Sequence, residues 1–274
     1  MNHTNGVDRS IDVVYGDLWA AGEIDSWAKD HVKLDARGPQ ALFDVIANLS
    51  LSNTSRIIDV GCGRGDYACA LASRYGCEVI ASDPVESNLE RARQLVKENN
   101  LTDKVTVQKG EVESLSFDDG SFSLVWCRSV IVHLPDLVSA FQACHRLLES
   151  GGYMMLQTGY ATDHMSQDEA TTLCRQLGFY PDSLQRTIVE AALDEAGFTI
   201  VQSDEFGSEH AEFYEQSDGR CAKYLMGIAR LLRSEEQVVA HFGRNAYETA
   251  LGMYHWQVYQ MMGRISYHAY LLKS

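Results

Sequence analysis

Positive charge is what this sequence lacks most. Its 274 residues carry 23 lysines and arginines against 38 aspartates and glutamates, a formal net charge of −15. A surface of that sign repels phosphate backbones and anionic lipid, so nucleic acid and membranes are excluded as expected partners and a small-molecule substrate is favoured. No apolar run reaches the ~18 residues a membrane helix needs, and the polar stretch Met1–Ser10 has no signal-like apolar core. The seven cysteines (62, 69, 77, 127, 144, 174, 221) form no CxxC pair and do not alternate with histidine at ligand spacing. No metal site is expected from them. Their odd number and mostly apolar settings read as reduced, buried thiols of a cytoplasmic protein. Internal repeats and low-complexity tracts are also absent.

What is present suits a sizeable α/β enzyme. Hydrophobic residues make up 45% of the chain, enough for a full core without disulfide or metal staples. Residues 11–50 read as helical pieces, the last from Pro39 to Leu49 with Leu42, Phe43, Ile46 and Leu49 on one face. Strand and helix patterns then alternate. Strands are expected at Arg56–Val60, Glu78–Ser82, Val105–Lys109, Phe122–Cys127 and Tyr153–Thr158, with helices between them. That order means parallel βαβ units. Further helices fall at Ser166–Leu177 and Ser183–Ala196, and further strands at Phe198–Glu205 and Ile265–Leu272. The expected fold is a Rossmann-like, doubly wound seven-stranded sheet, mostly parallel with the last strand antiparallel, plus a helical cap. Three regions follow: an N-terminal helical arm at 1–54, a core at 55–206 and 265–274, and a cap insertion at 207–264 containing two longer helical patterns. A homo-oligomer through the arm or the insertion is left open.

The chemistry concentrates in Gly61-Cys62-Gly63-Arg64-Gly65, which ends the first strand and opens a helix. Glycines there permit positive φ and close backbone approach, and the helix start favours anions. No Gly-Lys-Ser/Thr follows, which excludes a Walker A loop. A dinucleotide fingerprint needs a glycine where Asp66 stands, and Asp66 would face the pyrophosphate. Asp59 precedes the glycines, Asp83 closes the second strand about twenty residues past Gly63, and Glu111 follows the third. An acid at the position of Asp83 can accept both ribose hydroxyls. Three carboxylates around one ligand suit a cationic, phosphate-free nucleoside.

The stretches IIDVGCGRGDYACALA (57–72), VIASDPVESNLERAR (79–93), VQKGEVESLSFDDGSFSLVWCRSVIVHLPD (107–136) and CHRLLESGGYMML (144–156) together resemble a class I S-adenosylmethionine-dependent methyltransferase of the small-molecule, type 11-like branch. The resemblance covers residues 56–158, and 183–206 more loosely. It implies S-adenosyl-L-methionine as cofactor and S-adenosyl-L-homocysteine as product. It places the methionyl part over Gly61, Cys62 and Gly63 with Asp59 beneath. It assigns the ribose to Asp83 with Pro84 alongside, and the adenine to Glu111 and Val112. Cys127 and Arg128 are expected beside the methionyl group. Most relatives have Asp where Glu111 stands.

A sulfonium arrives with its methyl group activated, so positioning the acceptor is the main task, and a base is needed only if the acceptor loses a proton in the slow step. His133, beyond the fourth strand, is the candidate base. Candidate acceptor contacts are Tyr15 and Trp19 of the arm, Tyr160 and His164 after the fifth strand, and Trp256 and Tyr259 of the cap; large aromatics suit a flat, hydrophobic or cationic substrate. The expectation is methyl transfer to an N, C or O atom of a small molecule in specialised biosynthesis. The alternatives are an NAD(P)-dependent oxidoreductase, opposed by Asp66, and a non-catalytic, methyltransferase-like regulatory partner, opposed by the retained Asp59, glycine loop and Asp83. A nucleic-acid methyltransferase is opposed by the acidity and by CRSV standing where that branch has Asn/Asp-Pro-Pro-Tyr.

Overall fold

A computed structural model describes residues 10–32 and 34–274, and the side chain of Trp19 lies outside the described residues. The chain divides into two units, Met1–Asp35 and Ala36–Ser274. The first contains the helix α1 (Ile11–His31), capped by Ser10, whose Oγ accepts from the Val13 N–H. Tyr15 is exposed on this helix.

The second unit begins with α2 (Gln40–Val45) and continues β1 (Arg56–Val60), α3 (Asp66–Tyr75), β2 (Glu78–Asp83), α4 (Glu86–Glu98), β3 (Val105–Lys109), β4 (Phe122–Arg128), α5 (Leu137–Leu147) and β5 (Leu148–Ala161). After these come α6 (Gln167–Leu177), α7 (Arg186–Glu195), β6 (Thr199–Phe206), α8 (Glu209–Asp218), α9 (Arg220–Arg233), α10 (Glu235–Phe242), α11 (Arg244–Met261) and β7 (Ile265–Lys273). The seven strands form one sheet in the order β3-β2-β1-β4-β5-β7-β6. β7 runs antiparallel to both neighbours, and the other pairs are parallel. The order reverses between β1 and β4, and ligands of such sheets bind beyond the strand carboxyl ends at that reversal.

Strand side chains alternate between two cores. Ile57, Leu124, Met155 and Tyr267 pack with Phe43 of α2, Leu71 of α3, Leu173 of α6 and Trp256 of α11. Ile58, Val125, Leu156 and Tyr270 pack with Phe141 of α5 and Val189 of α7. Three differences from the sequence expectation have local causes. Leu42, Phe43, Val45 and Ile46 are buried in the first core, so the break between units falls at Asp35 and not after residue 54. β5 continues past Thr158 because its pairing with β7 runs on to Ala161 opposite Ile265. The insertion holds four helices, α8 to α11, because Gly219 and Gly243 take positive φ at 65° and 88° and Ser234, at φ −121°, leaves helical geometry between α9 and α10.

Candidate active site

β1 delivers its last residues to the strand carboxyl edge, where Gly61, Gly63 and Gly65 all take positive φ. Gly61 has a second constraint: a Cβ built on it meets Val130 Cγ2 at 2.3 Å. The loop is held by Asp83. Its Oδ2 accepts from the Gly63 N–H at 2.9 Å, while Oδ1 accepts from the Val85 N–H at 2.9 Å and from Asn88 Nδ2 at 3.2 Å. Each carboxylate oxygen has two lone-pair directions, so Oδ1 is filled and Oδ2 keeps one direction for a ligand hydroxyl. Asp66 opens α3 in its first turn, where a carboxylate complements the helix dipole and an anionic phosphate would meet like charge.

Two cavities meet at the glycines. The larger, about 720 Å³, is lined by Gly61, Gly63, Asp83, Pro84, Glu111 and Val112, with Val130, His133, Leu134 and Pro135 on its other wall. Its lining carries three carboxylates, those of Asp83, Glu111 and Glu113, and no lysine or arginine. The smaller, about 360 Å³, is lined by Asp59, Cys62, Arg64, Asp66, Tyr67 and Arg128 together with the same glycines.

The smaller cavity contains an unclosed charge pair. Asp59 is 2% exposed, and its Oδ2 has no hydrogen-bond partner. Half-buried Arg128 lies over the Tyr67 ring, 4.9 Å from its centroid, and its buried Nε is also unpartnered. Burial pushes the Asp59 carboxyl up to about 7, opposed by the Arg128 charge and helped by Asp83. A cation and an anion set apart beside a cleft, each short of a partner, match the two ends of an amino-acid zwitterion. An ammonium fits Asp59 and a carboxylate fits Arg128.

The Methyltransferase domain model matches residues 58–156. Over 119 residues the chain is 35% identical to a sarcosine/dimethylglycine N-methyltransferase of Halorhodospira halochloris, covering 43% of this chain and 41% of that one. It is 23% identical over 201 residues to a sterol 24-C-methyltransferase of Pneumocystis carinii, covering 68% and 52%. The chain thus spans about half or less of the length of these relatives. Among solved structures, a geranyl diphosphate C-methyltransferase of Streptomyces coelicolor, bound to geranyl diphosphate and S-adenosyl-L-homocysteine, superposes with a TM-score of 0.63 at 14% identity, over 85% of this chain and 78% of that one. That likeness establishes the fold.

Within the matched residues, Asp59, Gly61, Cys62, Gly63, Asp83, Pro84, Glu111, Val112 and Arg128 all border one or other cavity. Cys127 does not. Strand alternation turns it to the α5 face, where it is 2% exposed and the Cys144 thiol is a neighbour. His133 stands at the rim of the larger cavity with its ring edge-on to Phe179, 4.9 Å between centroids, and partial burial lowers its pKa. Tyr160 also faces the α5–α7 core, 2% exposed, with its ring 4.9 Å from His268. His164 is exposed in the turn after β5. Trp256 is buried in the first core and donates from Nε1 to Tyr267 Oη at 2.9 Å. Tyr259 lines a separate pocket of about 190 Å³ with Glu169 and His255.

Sequence reasoning passed over Asn88, Tyr67, Ser129 and Val130. Asn88 had a readable signal, one helical turn past Asp83. Ser129 had none: its φ of 56° and its bonds to Gln157 (N–H to O, 2.8 Å; Oγ to Oε1, 3.2 Å) arise only once β4 and β5 are paired. Among the described residues no cluster of three His, Cys, Asp or Glu suits a metal ion, and no helix is long and apolar enough to cross a membrane.

Proposed function

We propose that this chain is an S-adenosylmethionine-dependent methyltransferase acting on a small molecule. The observation that carries the reading is the separated pair of Asp59 and Arg128 next to a nucleoside-sized cavity walled by acids. In the larger cavity a pyrophosphate would face Asp83, Glu111 and Glu113 with no lysine or arginine to meet it, which disfavours a nicotinamide dinucleotide. When bound, the cofactor supplies a methyl group on a sulfonium, an electrophile the protein need not create.

The chain's own residues hold and aim it. Asp59 takes the ammonium, Arg128 the carboxylate, Asp83 the ribose through its free Oδ2 lone pair, and Glu111 with the Val112 N–H the adenine edge. Gly61 and Gly63 form the neck between the two cavities, so the sulfur falls near them. Holding an acceptor in line with the methyl group supplies several kcal/mol of the barrier. His133, lowered in pKa and therefore neutral near pH 7, is available to take a proton from an acceptor at that rim. The named relatives act on molecules as different as sarcosine, sterols and geranyl diphosphate, and a specialised-metabolite acceptor fits that spread.

Calorimetry with S-adenosylmethionine and S-adenosylhomocysteine tests the reading. Micromolar binding, lost in Asp83→Ala, is the expected result. Absence of binding by both compounds to the wild-type chain, with NADH binding in their place, would sink it.

A further inference from the structure

Two helices of the first core part to leave a cavity that shares no residue with the cofactor cleft. At one end α6 and α11 touch: a Cβ built on Gly252 meets Gln176 Cβ at 2.8 Å and Leu177 Cδ2 at 3.1 Å, so glycine permits the close approach. At the other end Arg264 pairs with Glu169 and lies 5.3 Å from the Tyr259 ring centroid. Between these ties the cavity, about 190 Å³, is lined by Asp168, Glu169, Leu173 and Gln176 of α6 and by His255 and Tyr259 of α11. That volume holds more than one water and falls below the ~300–1,000 Å³ of drug-sized sites, so its occupant is small.

Helical spacing arranges the lining. Asp168, Thr172 and Gln176, four residues apart, form one stripe of α6. His255 and Tyr259 form the facing stripe of α11, their rings stacked 5.5 Å apart at 19°. Asp168 is exposed at the mouth, and Leu173 and Gln176 are buried at the floor. Gln176 is 8% exposed, and its Oε1 has no hydrogen-bond partner. A buried acceptor left in that state costs ~1–3 kcal/mol, and a ligand N–H would remove the cost.

Charge selects the ligand. Glu169 is committed: Oε2 accepts from the Ser166 N–H at 2.9 Å and from Ser166 Oγ at 3.0 Å, while Oε1 accepts from Arg264. Asp168 forms no ion pair among the described residues. Burial lowers the His255 pKa against the pull of Glu169, so the ring is neutral near pH 7. With Arg264 spent on Glu169, the one uncompensated charge of the lining is the Asp168 carboxylate, which repels an anion. Among the described residues no group of three His, Cys, Asp or Glu suits a metal ion. An organic cation bearing hydrogen-bond donors is the chemistry that remains.

We propose that the groove between α6 and α11 binds a short linear amine with a donor at each end, a primary ammonium meeting Asp168 and a second N–H group meeting Gln176 Oε1. Eight residues of helix set the two Cα atoms ~12 Å apart, and the longer Gln176 side chain leans back toward Asp168 because helical side chains tilt toward the N-terminus. A hydrogen bond of ~2.9 Å at each end leaves ~6 Å or less, which a chain of three or four carbons fills. Its methylenes lie along Leu173 and the rings of His255 and Tyr259. The site does not rest on the methyl-transfer reading.

The test is calorimetry with 1,4-diaminobutane at physiological salt. Saturable one-to-one binding with a Kd below about 1 mM is expected. 1-Aminobutane, which lacks the second donor, and 1,4-butanediol, which lacks the charge, should bind at least about tenfold more weakly. Asp168→Asn, a change at an exposed position, should weaken the diamine about tenfold, and Gln176→Met, which keeps the length and removes the carbonyl, by a similar factor. Saturating S-adenosylhomocysteine should leave the diamine Kd unchanged. No saturable binding below about 10 mM, equal binding of 1-aminobutane, or an unchanged Kd in Asp168→Asn overturns the site. Competition by S-adenosylhomocysteine overturns it too, because the diamine would then sit among the acids of the cofactor cleft. If Gln176→Met does not fold, Asp168→Asn and the 1-aminobutane comparison decide. A wild-type chain that binds the diamine but not S-adenosylhomocysteine overturns the methyl-transfer reading and leaves the amine site standing.

Discussion

The Gly63 N–H donates to Asp83 Oδ2 at 2.9 Å, and the other oxygen of the same carboxylate holds the Val85 N–H and the Asn88 amide. One side chain therefore fastens the glycine loop to the start of α4 and still offers one lone pair, on Oδ2, to a ribose. Asp83→Asn keeps the shape but turns one acceptor into a donor pointed at an N–H. It should weaken S-adenosylhomocysteine binding by about 10- to 100-fold, one charge-assisted hydrogen bond to the ribose being lost. Asn88→Ala, which removes only one support of the carboxylate, should cost roughly three- to tenfold. Calorimetric Kd values for the two variants check the order, and equal losses would contradict it.

Asp59 makes a prediction that depends on pH. Its carboxyl is pushed up to about 7 from an ordinary 3.8 by burial. Below pH 3.8 folded and unfolded chains both hold this proton. Between 3.8 and 7 only the folded chain keeps it, so this group's contribution to stability is greatest in acid and declines by roughly 4 kcal/mol as pH rises to 7. Asp59→Asn removes that decline. The unliganded variant should melt higher than wild type at pH 8, with the gap closing toward pH 4. Cofactor binding shows the opposite sense. Wild-type affinity should rise from pH 6 to pH 8 as the carboxylate forms to meet an ammonium, while the variant binds weakly throughout. Thermal melts and calorimetry at pH 5, 6, 7 and 8 measure both.

The sheet and the cofactor cleft were legible in the chain because local signals decide them. β1 and β3 fall at their expected boundaries, and Asp59, Gly61, Asp83 and Glu111 converge because each terminates or follows a strand of one parallel sheet. What the sequence could not resolve is direction at a single position. Cys127 and Arg128 are adjacent, yet alternation sends one into the α5 core and the other into the cleft. Tyr160 after the fifth strand and Trp256 of the cap both read from the sequence as acceptor contacts. Tyr160 faces the α5–α7 side and Trp256 fills the space above Gly159. The Tyr267 hydroxyl accepts from Trp256 and Gln260 of α11, and spacing carries no trace of that network.

The thiols give a second, independent check on the core. All seven cysteines are buried and unbridged. Burial raises every one, Cys144 to about 12, and the negative charges of Asp59 and Asp83 add to it at Cys62. Reactivity follows the thiolate. The native chain at pH 8 should react with fewer than about one equivalent of a disulfide reagent in minutes, and with all seven thiols after guanidinium unfolding. Rapid native labelling of several thiols would contradict this packing.

Gly61 and Val130 form a testable pair across the neck of the cleft. Gly61 has φ at 68°, and an added Cβ would meet Val130 Cγ2 at 2.3 Å. Gly61→Ala therefore suffers twice, from left-handed backbone strain of about 1–2 kcal/mol and from overpacking of about 1–3 kcal/mol. Trimming the partner relieves only the second effect. Val130→Ala in the Gly61→Ala background should recover stability, although Val130→Ala alone loses some, giving a coupling energy of about 1–2 kcal/mol in a double-mutant cycle. Cofactor affinity should recover in parallel, because Gly61 and Val130 line the same cavity. Urea unfolding of the four proteins measures the cycle. Simple additivity would show that Val130 does not confine the loop and that strain at φ 68° is the whole cost.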